Sequence, residues 1–211
     1  MELLLQISAS LQQGDDSKVH ELTSLALQQG HAPEKILSDG LIAGMDIIGK
    51  QFRHHEIFLP DVLMAAKAMN AGLDLLNPLL QESGQIGLGK IVIGTVSGDL
   101  HDLGKNLVTI MLKGAGFEVI DLGKDVKPST FVDTAISENA TVIGMSALLT
   151  TTMPVMKSVV EILHERGLAN SIKTIIGGAP LSDEYAREIG ADAYAYDAAN
   201  AVVKIKELMG V

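Results

Sequence analysis

The chain has 211 residues, enough for one large domain or two small ones. Apolar residues make up 47% of it and aromatics only 3%, with no tryptophan and nine methionines, so the core must be aliphatic. A formal charge of −10 argues against nucleic acid or an anionic membrane surface as partner, and the absence of cysteine excludes disulfides, thiolate nucleophiles, iron–sulfur clusters and zinc-finger sites.

Met1-Glu2-Leu3-Leu4-Leu5-Gln6 has no basic n-region and no cleavage site, so no signal peptide is expected. No apolar stretch is long enough to span a bilayer, and a cytoplasmic protein is expected. Residues 1–84 read as helical. A first helix covers Glu2–Gln13 and is closed by Gly14. Asp15-Asp16-Ser17 offers N-cap chemistry for a second, which runs to Gln29 and is closed by Gly30. Pro33 suits the first turn of a third, running to about Phe52, and Pro60 the first turn of a fourth. In that fourth helix Val62, Ala66, Met69, Leu73, Leu76 and Leu80 alternate spacings of four and three, which makes one apolar seam. Pro78 is expected to distort or fray its last turn. Four helices with short connections predict a four-helix bundle.

Glu82-Ser83-Gly84-Gln85-Ile86-Gly87-Leu88-Gly89 is glycine-rich and weakly periodic, and the inter-domain linker and hinge is placed there, at 85–90. Over 91–211 the pattern changes. Apolar runs at Ile91–Gly94, Glu118–Leu122, Thr141–Ser146, Thr174–Ile176 and Ala193–Tyr196 predict buried strands. Helical segments at about Leu103–Ala115, Pro128–Glu138, Met153–Arg166, Ser182–Ile189 and Ala198–Met209 alternate with them. Such alternation predicts a parallel sheet covered on both faces, and five units fit the doubly wound order 2-1-3-4-5. The loops after strands 1, 3 and 4 then lie side by side. They carry Ser97–Gly104, Ser146–Thr152 and Gly177-Gly178-Ala179-Pro180, whereas Gly123-Lys124-Asp125-Val126 after strand 2 looks ordinary.

The first of these loops, Gly98-Asp99-Leu100-His101-Asp102-Leu103-Gly104-Lys105-Asn106, places a histidine between aspartates at the switch point of the sheet. It is not a phosphate loop: five residues separate Gly98 from Gly104 where a Walker loop has four, Asn106 replaces the magnesium-binding hydroxyl, and the aspartates would repel phosphate. No dinucleotide fingerprint follows strand 1. A hydrolytic triad of His101, Asp99 and Ser146 lacks a nucleophile elbow. A purely structural histidine paired with Asp99 is the plain alternative. The remaining reading is a single metal ligand backed by a carboxylate that sets its tautomer; one ligand cannot hold a bare ion, so the metal would arrive inside a macrocycle.

Asp99-x-His101-Asp102-x-Gly104, followed by Lys105-Asn106, then Ser146-x-Leu148-x-Thr150, then Gly177-Gly178, resembles the D-x-H-x-x-G…S-x-L…G-G signature of cobalamin-binding domains. The helical half, from Phe58-Leu59-Pro60-Asp61-Val62 through Met69, resembles the cap of cobalamin-dependent methyltransferases such as methionine synthase. The whole chain is similar to the small corrinoid proteins of methanol, methylamine and O-demethylase systems. The resemblance implies a four-helix-bundle cap followed by a Rossmann-like, flavodoxin-like α/β domain that binds cobalamin. It implies that His101 replaces the corrinoid's own base as lower ligand to cobalt and that Asp99 accepts the other imidazole proton. Thr152 falls at the relay hydroxyl, with threonine in place of the serine of methionine synthase. Ser146 and Thr150 would contact the displaced nucleotide tail, Leu148 would be among the cofactor-binding residues, and Gly94, Gly98, Gly177 and Gly178 would leave room for the tail. Asp102 and Gly104 would lie near the corrin at the helix start, with Lys105 and Asn106 in a capping, salt-bridge or ligand role. Phe58, Leu63, Met64 and Met69 would cover the upper face and exclude water.

The function so implied is methyl carriage. Co(I) would accept a methyl group from a substrate-specific methyltransferase, and methyl-Co(III) would pass it to a second methyltransferase with a pterin or thiol acceptor; a reductive activase is a further expected partner. Alternatives from other classes are a cobalamin-dependent sensor, which would need an output element, and an adenosylcobalamin mutase subunit, which would lack the cap.

Overall fold

The computed structural model describes residues 2–82 and 88–211. Residues 85–87 of the linker expected at 85–90 lie outside the described residues, and Lys90 belongs to the first strand. Two compact units are distinguished, Met1–Gly87 with Ile110–Gly116, and Leu88–Thr109 with Phe117–Val211. Among the described residues no helix is long and apolar enough to cross a membrane.

The helical unit starts with α1 (Glu2–Gln12) and α2 (Asp16–Gln28), and Asp15 caps α2 by accepting the Lys18 N–H at 2.9 Å. The expected third helix is interrupted. It consists of α3 (Pro33–Ile36), a π-helical segment (Leu37–Ile42) and α4 (Ala43–Arg53). The burial pattern gives the reason. Ile36 and Leu41 are both fully buried at a spacing of five, which points to different sides of an α-helix but to one side of a π turn; Met45 and Ile48 continue the same face.

Helix α5 (Leu59–Glu82) begins with the Phe58 N–H donating to Asp61 Oδ2 at 2.9 Å, the backward half of a capping box. It continues past Pro78 rather than fraying there. The proline removes one hydrogen bond a turn from the end, while buried Leu76 and Leu80 hold that turn to the bundle. The expected seam is realised at Val62, Ala66, Met69, Leu76 and Leu80, with Leu73 half-buried. Small residues widen the seam: Ala65, Ala68 and Gly72 are buried too. A Cβ on Gly72 would lie 2.8 Å from both Leu41 methyl carbons and 3.3 Å from Val19 Cγ1, so its absence lets α5 approach α2 and the π segment closely.

The second unit is a five-stranded parallel sheet in the order β2-β1-β3-β4-β5, as expected. The strands are β1 (Lys90–Thr95), β2 (Glu118–Asp121), β3 (Val142–Ser146), β4 (Lys173–Gly177) and β5 (Ala193–Ala195). Between and after them run α6 (Leu103–Gly114), α7 (Pro128–Ser137), α8 (Pro154–Glu165), α9 (Asp183–Ile189) and α10 (Ala198–Met209). Ile91 sits opposite Val119 on one side and Val142 on the other, so β1 is hydrogen-bonded on both edges. The chain leaves β1 for β2 on one side and returns to β3 on the other, which opens a crevice at the carboxyl ends of β1 and β3. Beneath it lies a core built on Val92, Phe131, Ile143, Met156 and Ile176, all 1% exposed or less.

Candidate functional site

Beyond β1 the chain turns at Gly98, whose φ of +83° suits glycine, and delivers Asp99 into the interior with no exposed surface. Its carboxylate collects donors from two loops. Oδ1 accepts the His101 N–H at 3.0 Å and lies 2.8 Å from His101 Nδ1. Oδ2 accepts the N–H groups of Leu148 at 2.7 Å and Leu149 at 3.1 Å, and lies 3.0 Å from Thr152 Oγ1. Thr152 Oγ1 is also 2.8 Å from the Leu149 carbonyl, so its single proton has two acceptors to choose between. Burial by itself would raise the Asp99 carboxyl. The N–H groups of His101 and Leu148, the His101 ring and the Leu149 N–H together outweigh it and hold the group well below the usual carboxylate range.

An ionised Asp99 makes Nδ1 the protonated nitrogen of neutral His101 and leaves the lone pair on Nε2. The ring is about half exposed (53%), so that lone pair is open to a ligand. The two loops that meet at Asp99, together with the first residue of α6, carry four exposed leucines: Leu100 (62%), Leu103 (77%), Leu148 (44%) and Leu149 (40%). Apolar side chains left outside the core around one free imidazole nitrogen make a surface for a ligand with a large apolar face. Among the described residues no cluster of three or more His, Cys, Asp or Glu side chains could hold a bare ion.

The other expected positions divide. Ser146 is half-buried at the end of β3, where its carbonyl accepts the Val96 N–H; Thr150 is exposed. The Asp102 carbonyl accepts the Asn106 N–H at 2.8 Å in the first turn of α6, and Gly104 faces open space. Two of the glycines are required by the protein's own packing. A Cβ on Gly94 would come within 2.8 Å of the Phe131 ring, and one on Gly178 would fall 1.8 Å from the Ala147 carbonyl oxygen. A Cβ on Gly177 would lie 3.2 Å from the Ala195 carbonyl oxygen, and one on Gly98 3.3 Å from the Thr152 methyl. Of the candidates in the helical unit, Phe58, Leu63 and Met64 are exposed, but Met69 is fully buried and presents no surface to a ligand. The reason is its place in the α5 seam, where periodicity puts it in the bundle core.

Two features escape a reading of motifs. The loop after β2 is not ordinary: Asp125 Oδ1 accepts the Gly98 N–H at 2.7 Å and the Ser97 hydroxyl at 3.1 Å. The Gly98 N–H above all, then the Ser97 hydroxyl, lowers the Asp125 carboxyl against a smaller opposing effect of desolvation. The second is Lys105, almost fully buried, whose Nζ donates to Asp121 Oδ2 at 2.5 Å and Asn106 Oδ1 at 2.7 Å. This ties α6 to the end of β2 and assigns Lys105 a salt-bridge role. Asp121 is 31% exposed and can recover water if the lysine is lost, whereas Lys105 cannot. Asp121→Asn should therefore cost more, about 3 kcal/mol, than Lys105→Met, because it strands a buried cation. Urea unfolding of the two variants checks the order; equal losses would contradict it.

A model described as a B12 binding domain matches residues 89–206, and a second of the same description matches residues 3–77. The chain belongs to the B12-binding domain family. The dimethylamine corrinoid protein 1 of Methanosarcina acetivorans is 49% identical over 178 residues, 84% of either chain. A corrinoid protein of Desulfitobacterium hafniense is 41% identical over 100% of this chain and 99% of its own. Among solved structures, the methanol:cobalamin methyltransferase complex of Methanosarcina barkeri superposes with a TM-score of 0.86 at 30% identity, covering 99% of this chain and 80% of that one. The cofactor of this B12-binding protein is cobalamin. The donor set fits it: one open imidazole nitrogen and a rim of leucines suit a metal that brings its own equatorial ligands.

Proposed function

We propose that this protein carries methyl groups on cobalamin between methyltransferases. A substrate-specific methyltransferase loads it, a second with a pterin or thiol acceptor unloads it, and a reductive activase restores the cofactor after adventitious oxidation. The reading rests above all on His101, whose Nδ1 is held by buried, ionised Asp99 while Nε2 stays open beside exposed leucines. The likeness to dimethylamine and methanol-system proteins supports the same class of chemistry.

Bound cobalamin supplies the cobalt centre on which the methyl group rides. His101 Nε2 would hold the cobalt from the protein side, and Asp99 fixes the plane and tautomer of the ring. With Nδ1 hydrogen-bonded to Asp99 Oδ1 at 2.8 Å, the lone pair of Nε2 would be held toward the cofactor. The Leu148 and Leu149 N–H groups keep Asp99 ionised, and the Thr152 hydroxyl can turn between Oδ2 and the Leu149 carbonyl. Leu100, Leu103, Leu148 and Leu149 keep water from the face around the ligand.

His101→Ala should still bind cobalamin through the apolar surface but lose the visible spectrum of the histidine-ligated cobalt. Methyl transfer should slow with it. A spectrum and transfer rate equal to those of the parent protein would show that another group is the ligand.

A further inference from the structure

The carboxylate of Asp99 is held by the loop after β3, but its main chain is held from the other side. Asp125, in the loop after β2, reaches across the carboxyl end of β1. Its Oδ1 accepts the Gly98 N–H at 2.7 Å and the Ser97 hydroxyl at 3.1 Å, and its own N–H donates to the Asp99 carbonyl at 3.2 Å. The surrounding main chain is laced in the same way: the Thr95 N–H donates to the Gly123 carbonyl, the Val126 N–H to the Thr95 carbonyl, and Val96 and Val126 form an isolated parallel bridge.

The backbone of Asp125 has a φ of +58°, a left-handed conformation that a residue other than glycine adopts at a cost. A glycine would sit there without strain. In that conformation the aspartate side chain is bonded to two successive residues of the histidine loop. Gly98 also has a positive φ, so the turn that swings Asp99 inward has little intrinsic preference for its shape. Its N–H must be anchored from outside the loop, and Asp125 Oδ1 is the anchor.

We infer that Asp125 is a positioning residue for His101. By bracing Ser97, Gly98 and the Asp99 main chain it sets how firmly Asp99 presents the imidazole, and so how readily His101 stays on or leaves a metal. This rests on His101 being the cobalt ligand. It adds a second aspartate, 26 positions beyond Asp99, to the apparatus that controls the histidine. The effect runs through hydrogen bonds to Oδ1 rather than through charge, because the groups it holds are neutral donors.

Asp125→Gly deletes those bonds while keeping the left-handed backbone free of strain, and Asp125→Asn restores an oxygen at the Oδ1 position. In the cofactor-free protein the Gly98 amide of Asp125→Gly should exchange with solvent about tenfold faster than that of the parent, the worth of one hydrogen bond, with Asp125→Asn close to the parent. Loaded with cobalamin, Asp125→Gly should shift the balance of histidine-on to histidine-off spectra toward off by a similar factor, and Asp125→Asn should reverse most of that shift. The inference is overturned if Asp125→Gly matches the parent in both measurements, or if Asp125→Asn behaves like Asp125→Gly. His101→Ala separates the two levels. If its spectrum equals the parent's, the ligand reading fails, while Gly98 exchange still reports whether Asp125 braces the loop.

Discussion

Gly178→Ala should destabilise the α/β unit by on the order of 4 kcal/mol, or leave it unable to fold, and should abolish cobalamin binding with it. A Cβ at this position would lie 1.8 Å from the Ala147 carbonyl oxygen and 2.9 Å from its carbon, both main-chain atoms that no rotamer change can move. The φ of +143° adds strain for any residue with a Cβ. Relief requires the loop after β3 or the loop after β4 to shift. Ala147 immediately precedes Leu148 and Leu149, whose N–H groups hold Asp99, so the damage passes directly to the histidine. Urea unfolding and cobalamin titration measure the two losses. The same substitution at Gly104, where no protein atom lies within 4 Å, is the control for stability and should be nearly neutral in urea unfolding. A Gly178 variant as stable as the control would show that these loops are not in register with one another.

Asp99→Ala should produce the second large effect, a loss of on the order of 3 kcal/mol at neutral pH, because the N–H groups of His101, Leu148 and Leu149 lose their common acceptor. Its pH dependence has a definite sign. The Asp99 carboxyl is held below its ordinary value in the folded protein, so its contribution is full above the unfolded value of about 4 and is lost as the pH falls from there through the lower folded value. The stability gap between parent and Asp99→Ala should therefore be widest at pH 7 and narrower at about pH 3. A gap independent of pH would mean that the ionised form of Asp99 is not what the loops stabilise.

The parallel sheet and its strand order were legible because each strand and helix announces itself within its own ten or so residues, and handedness rules leave few ways to connect them. The His101–Asp99 pairing was legible for a similar reason: the two residues are adjacent but one, and the loop between a strand and a helix leaves them little freedom. Helix α5 was found from its seam, but the π turn at Leu37–Ile42 was not, since it follows from where Ile36 and Leu41 must both be buried. At two glycines of the signature the structure shows a packing role that the sequence does not announce. Gly94 makes space for Phe131 and Gly178 for the Ala147 carbonyl, contacts spanning more than thirty residues that no local pattern encodes.

By itself the amino-acid sequence determined the βα alternation, the switch point and the family, and it singled out a histidine with a carboxylate beside it. The alternation, the switch point and the histidine pair are properties of local periodicity and spacing; the family rests on a resemblance of motif residues. What only the tertiary structure decided is how that histidine is held: Thr152 and two amide groups on one side of Asp99, Asp125 on the other, and Lys105 buried against Asp121 below the helix that follows. Each of these joins loops or strand ends that are distant in the chain, and they meet because a parallel sheet brings every second connection to one edge.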